Sequence, residues 1–122
     1  MSAAEAQILR VPLRCDPSAP GQARDAVRQL GEIGPIREDA VLLVSELVSG
    51  AVIGRGCDSG ATLELIATEL PRGVHLEVSS PIDRPPGKPP KPALSSLVGA
   101  LACRWGIERQ DSSLQLWADL TV

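Results

Sequence analysis

The sequence contains no phenylalanine and no tyrosine, and its only aromatic rings besides one histidine are Trp105 and Trp117. The core must therefore be filled by aliphatic side chains, with the two indoles expected to pack a helix end against a sheet. So few rings exclude a surface that stacks on the bases of single-stranded nucleic acid. No cluster of lysines or arginines is present and the net charge is −3 at pH 7, so no nucleic-acid partner is expected. Long hydrophobic runs are missing as well. The longest strictly apolar run, AVLLV at 40–44, is far too short to cross a bilayer. The opening MSAAEAQ lacks the basic stretch of a secretory signal. The expectation is a cytoplasmic protein with no membrane partner. Cysteine is sparse: Cys15, Cys57 and Cys103 are far apart, odd in number and without a CxxC pair. That pattern argues against a disulfide framework and against a zinc site.

What is present has the composition of a folded domain, and 122 residues fit one domain with one core, spanning 1–122. In ILRVPLRC, Leu9, Val11 and Leu13 alternate with Arg10 and Arg14, which predicts a strand with one buried face. Pro12 predicts that this strand lies at a sheet edge, because proline cannot donate to a ladder. Asp16 or Ser18 is the expected N-cap of a first helix over 21–33, with Ala23, Ala26, Val27 and Leu30 on one face and Gly34-Pro35 as its stop. A second helix is expected over 36–53, burying Ile36, Ala40, Leu43, Val44, Leu47, Val48 and Ala51. The segments 61–70 and 73–80 alternate around PRG and predict a hairpin, with Val74, Leu76 and Val78 inside.

PIDRPPGKPPKP, 81–92, is too rich in proline for helix or central strand. It reads as a stiffened loop rather than a polyproline ligand, and Lys88 and Lys91 could meet an acidic partner. A third helix over 93–104 and a closing hairpin follow, with Leu114, Leu116, Ala118 and Leu120 on the inner face. Cys103 beside that helix reads as a small hydrophobe. His75 reads as a surface residue on the outer face of its strand. The acidic residues are scattered and form no paired-carboxylate site. The order β-α-α-β-β-α-β-β predicts a two-layer α/β sandwich: a mixed, mainly antiparallel sheet of about five strands with three helices on one face.

Three stretches carry a resemblance: LLVSELVSGAV in the second helix, LEVSSP at a strand end, and LVGALACRWGIE followed by LQLWADL. In this order they resemble the ATPase domain of the GHKL superfamily, the fold of histidine-kinase catalytic domains and gyrase (the Bergerat-type fold). The likeness is greatest to its small stand-alone branch, the anti-sigma-factor serine kinases, and it covers nearly the whole chain. The resemblance implies a nucleotide pocket at the edge of the second helix. There a glutamate activates the attacking group, an asparagine four residues on holds magnesium, a strand-end aspartate reads adenine, and a glycine-rich segment meets the phosphates. Glu46 matches the glutamate. Gly50 stands at the asparagine's position and Ser80 at the aspartate's, while Pro92-Ala93-Leu94-Ser95 replaces the glycine-rich segment. Glu46, Gly50 and Ile53 share one stripe of the helix.

The changes remove a metal-binding oxygen, a carboxylate acceptor and an N–H donor together. No catalytic residue, cofactor or metal is therefore expected. Glu46 is read as a helix carboxylate paired with a nearby arginine. The expected function is a regulatory protein-interaction module, binding a sigma factor or an anti-anti-sigma protein, with a homodimer or a heterodimer with a paralogue as further possibilities. The alternative is an ATP- and magnesium-binding serine protein kinase with an altered nucleotide site, using Glu46 as base and Asp58 or Asp83 for the metal.

Overall fold

The structure is a computed structural model and describes residues 6–30, 34–55, 62–81, 96–110 and 113–121. Strand β1 (Ala6–Arg14) is followed by helix α1 (Ala19–Arg28). A 3-10 turn (Gly34–Ile36) leads into helix α2 (Arg37–Arg55). Strands β2 (Thr62–Leu70) and β3 (Gly73–Pro81) form a hairpin. Helix α3 (Ser96–Leu101), β4 (Arg104–Gln110) and β5 (Ser113–Thr121) complete the order. The five strands lie in the sequence β1-β2-β3-β5-β4, and every neighbouring pair is antiparallel. The sheet is thus wholly antiparallel rather than mixed. The crossover through α3 delivers β4 to the rim, and the closing hairpin turns β5 back beside β3.

Period-two alternation decides which residues meet. Leu65 stands opposite Val78, which stands opposite Leu116; Ala67, Leu76 and Ala118 form the next row. All six are fully buried. Helix α2 covers this face over β3 and β5, α1 packs on β1 and α2, and α3 touches α2 and β4. Every apolar residue expected on the second helix's inner face is buried, and Val41 joins them, because α2 lies between the sheet and its two neighbouring helices. Pro12 is on an edge strand, as expected, and pairs with Glu64. No helix among the described residues is long and apolar enough to cross a membrane.

Helix boundaries differ from those expected. Ser18 is the N-cap position of α1, but its side chain makes no capping bond. It donates instead to Asp16 Oδ1, which also accepts from the Ser18 N–H at 2.8 Å. These bonds, the side-chain one foremost, hold the Asp16 carboxyl below its ordinary pKa. Helix α1 ends at Arg28, where Gln29 and Leu30 donate to Ala26 and Val27 in three-residue steps; the tightened turn still buries Leu30. Gly34 opens the next turn at φ 48°, a left-handed value suited to glycine. Helix α3 is shorter than expected, since β4 claims Arg104 onward.

The cysteines also depart from expectation. Cys15 is disulfide-bonded. Cys103 is free and exposed, because it lies in the turn between α3 and β4 rather than on the helix. The partner of Cys15 lies outside the described residues. Sequence spacing failed here because the fold, not the spacing, sets which thiols meet.

Candidate functional site

On the helix side lie three of the positions singled out by resemblance. Glu46 is half-buried on α2, and Gly50 is buried one turn further on. Ser80 ends β3 on the same inward face as Val74, Leu76 and Val78, and it is 1% exposed. Helix α2 packs on β3, so the three positions lie on two elements that face each other. The expected arginine partner of Glu46 does not appear: Glu46 makes no ion pair among the described residues. The nearest arginine bond on α2 belongs to its neighbour, as Arg24 Nη1 donates to Ser45 Oγ at 2.8 Å. The Ile53 side chain, Leu94 and the proline-rich loop lie outside the described residues, as do Asp58 and Asp83. Among the described residues no group of three His, Cys, Asp or Glu side chains could hold a metal ion.

Donor chemistry at these positions does not fit magnesium and adenine. Magnesium takes oxygen ligands in tight octahedral geometry, and Gly50 offers no side-chain atom. A serine hydroxyl at 80 can donate one bond and accept others but carries no charge.

A second cluster sits on the opposite face of the sheet, where sequence reading expected only a surface histidine. His75 on β3 pairs in register with Asp119 on β5, and Asp119 pairs with Arg104 on β4. All three side chains point away from the helices. Asp119 Oδ1 lies 2.5 Å from His75 Nδ1, and its Oδ2 accepts from Arg104 Nη2 at 3.0 Å. A carboxylate only accepts, so Nδ1 carries the proton and Nε2 is left 3.6 Å from Glu77 Oε1. Asp119 is buried at 4% exposure although it stands on the outer face. Two charge-assisted contacts compensate the water it loses.

Trp117 flanks the cluster on the same face. Its ring stacks on His75 with centroids 5.7 Å apart. Its other side lies on Gly106, where an added methyl would stand 2.8 Å from Nε1. The indole thus does not pack a helix end, as expected; it sits on the far face because its parity is opposite to that of Leu116 and Ala118. Trp105 has the helix-side parity and approaches α3 at Gly99. Trp117 Nε1 is itself buried, with no hydrogen-bond partner among the described residues.

Together with Thr68, Leu70 and Glu108 these residues line a shallow hollow of about 410 Å³. Among the described residues the hydrogen-bond partner of His75 is Asp119. Through Asp119 the cluster ties β3, β5 and β4 together. Sequence reasoning missed it because the β3–β5 pairing is non-local. Only the shared outward parity of His75, Trp117, Asp119 and Arg104 could have hinted at it. No family model matches the chain, and no curated protein matches it.

Proposed function

We propose that this chain is a regulatory protein-interaction module, related in form to the anti-sigma-factor serine kinases, that binds a small regulatory protein without using ATP. A sigma factor or an anti-anti-sigma protein is the partner class the resemblance suggests. One observation carries this reading: at the positions matching the magnesium and adenine ligands, the buried pair Gly50 and Ser80 offers a single hydroxyl. Loss of both ligands leaves the scaffold with its outer surfaces as its remaining means of action.

The test is thermal unfolding with and without magnesium and ATP. A nucleotide at 100 times its dissociation constant would stabilise by about 2.7 kcal/mol. No rise in Tm is expected. A magnesium-dependent rise overturns the reading.

Glu46 favours a second reading, because it is half-buried and free of ion pairs among the described residues. In that reading the chain is an ATP-dependent serine protein kinase with an altered nucleotide site and Glu46 as base. Phosphate transfer to a partner serine, abolished by Glu46→Gln, selects it.

A further inference from the structure

The two rims of the sheet differ in how they are protected. On β1, Pro12 lacks a donor and the register shifts between Gln7 and Leu9. Both features discourage the addition of another strand. Strand β4, RWGIERQ, has no proline and no lysine, and its pairing with β5 runs unbroken from Arg104–Asp119 to Gln110–Ser113. It also leaves two apolar side chains in solvent, Trp105 at 48% and Ile107 at 40% exposure. They are two residues apart and share the helix-side face. Arg104 and Glu108 share the other face, flanking Gly106, and both are exposed.

We propose that β4 pairs antiparallel with β4 of a second copy of this chain, about a two-fold axis at Gly106, joining the two sheets into one. The register is set by symmetry and charge. A two-fold axis perpendicular to the sheet keeps each face matched to itself, so it passes through a residue position. An axis at Trp105 sets Arg104 against Gly106 and Ile107 against Cys103. An axis at Ile107 sets Trp105 against Arg109 and Glu108 against Gly106. Only the axis at Gly106 sets Arg104 against Glu108 and Trp105 against Ile107, each twice. Opposite charges and an aromatic beside a β-branched residue are favourable cross-strand pairs. Arg104 spends one donor on Asp119, yet its side chain is 75% exposed, which leaves other guanidinium N–H groups for the second copy's carboxylate. This pairing does not depend on what the helix side of the sheet binds.

Light scattering coupled to gel filtration tests it. The wild type is expected at twice its 12.8 kDa chain mass. Glu108→Arg places two arginines face to face and is expected to halve the mass. Arg104→Glu acts likewise, and mixing the two variants restores the dimer, because each then meets its opposite charge. A covalent readout fixes the register even if Arg104→Glu fails to fold beside Asp119. Arg109→Cys places a thiol opposite the second copy's free Cys103, and mild oxidation is expected to yield a disulfide-linked dimer on a non-reducing gel; Gln110→Cys is not. A monomeric wild type, a dimer indifferent to Glu108→Arg, or equal cross-linking by both cysteine variants overturns the proposal.

Discussion

At the scale of the residue, Gly106 is a position where the neighbouring strand leaves no room for a side chain. Its lack of a side chain lets the Trp117 indole lie flat on β4, and that indole in turn stacks on His75. A methyl group at 106 would come within 2.9 Å of three indole atoms, closer than carbon atoms pack. Gly106→Ala is therefore expected to displace the ring and disturb its stacking on His75. Overpacking of this kind costs about 1–3 kcal/mol. Urea unfolding of the variant measures it, and an unchanged midpoint would show that the indole is not seated on this strand. His75 illustrates a converse lesson. A lone histidine reads as a surface residue until the strand opposite it is known. Here that strand brings a buried carboxylate within hydrogen-bond reach.

At the scale of the element, the start of α1 shows how a short turn acquires a pH dependence. Asp16 accepts two bonds from Ser18, and these hold its carboxyl pKa below the ordinary value. The folded pKa lies under the unfolded one. The resulting stabilisation is complete above the ordinary aspartate range, about pH 4, and is lost as pH falls through the lowered folded value. Ser18→Ala removes the largest cause. The Asp16 pKa is then expected to move back up, which an NMR titration of its carboxyl reads directly, and the acid limb of the stability curve should become shallower. Helix α2 was legible almost residue by residue, because a buried face repeated over five turns is a strong signal. The ends of α1 and α3 were not. They are set by competition between a helix and the segment after it: a tightened turn at Leu30 and a strand starting at Arg104.

At the scale of the molecule, the inner rows of the sheet act as one unit. Leu76 is fully buried between Ala67 and Ala118, beneath a layer that contains α2. Leu76→Ala is expected to cost about 2–5 kcal/mol, according to how far the layers can collapse onto the gap. Urea denaturation measures it, and a loss under about 1 kcal/mol would mean that the layers repack freely. The element order, the inward sets and the edge position of β1 could all be read from alternation and from Pro12. Strand neighbours beyond the hairpins could not, because nothing local in residues 73–80 says that 113–121 will lie alongside. The place of His75 in the outer cluster depends on that pairing, whereas Arg104, Asp119 and Trp117 are brought together by the closing hairpin. On the helix side, Gly50 and Ser80 were visible as departures from a motif, and the structure adds that both are buried.

The sheet order has a consequence for biosynthesis. Strand β5 comes after every other described element in the chain, yet it occupies the slot between β3 and β4. While a ribosome has yet to release residues 113–121, β3 carries a bare flank and β4 has no neighbour to dock on. Chains stalled at that point display unpaired backbone of the kind that chaperones shield and that seeds aggregation. Closure of the sheet therefore waits until translation has passed this strand.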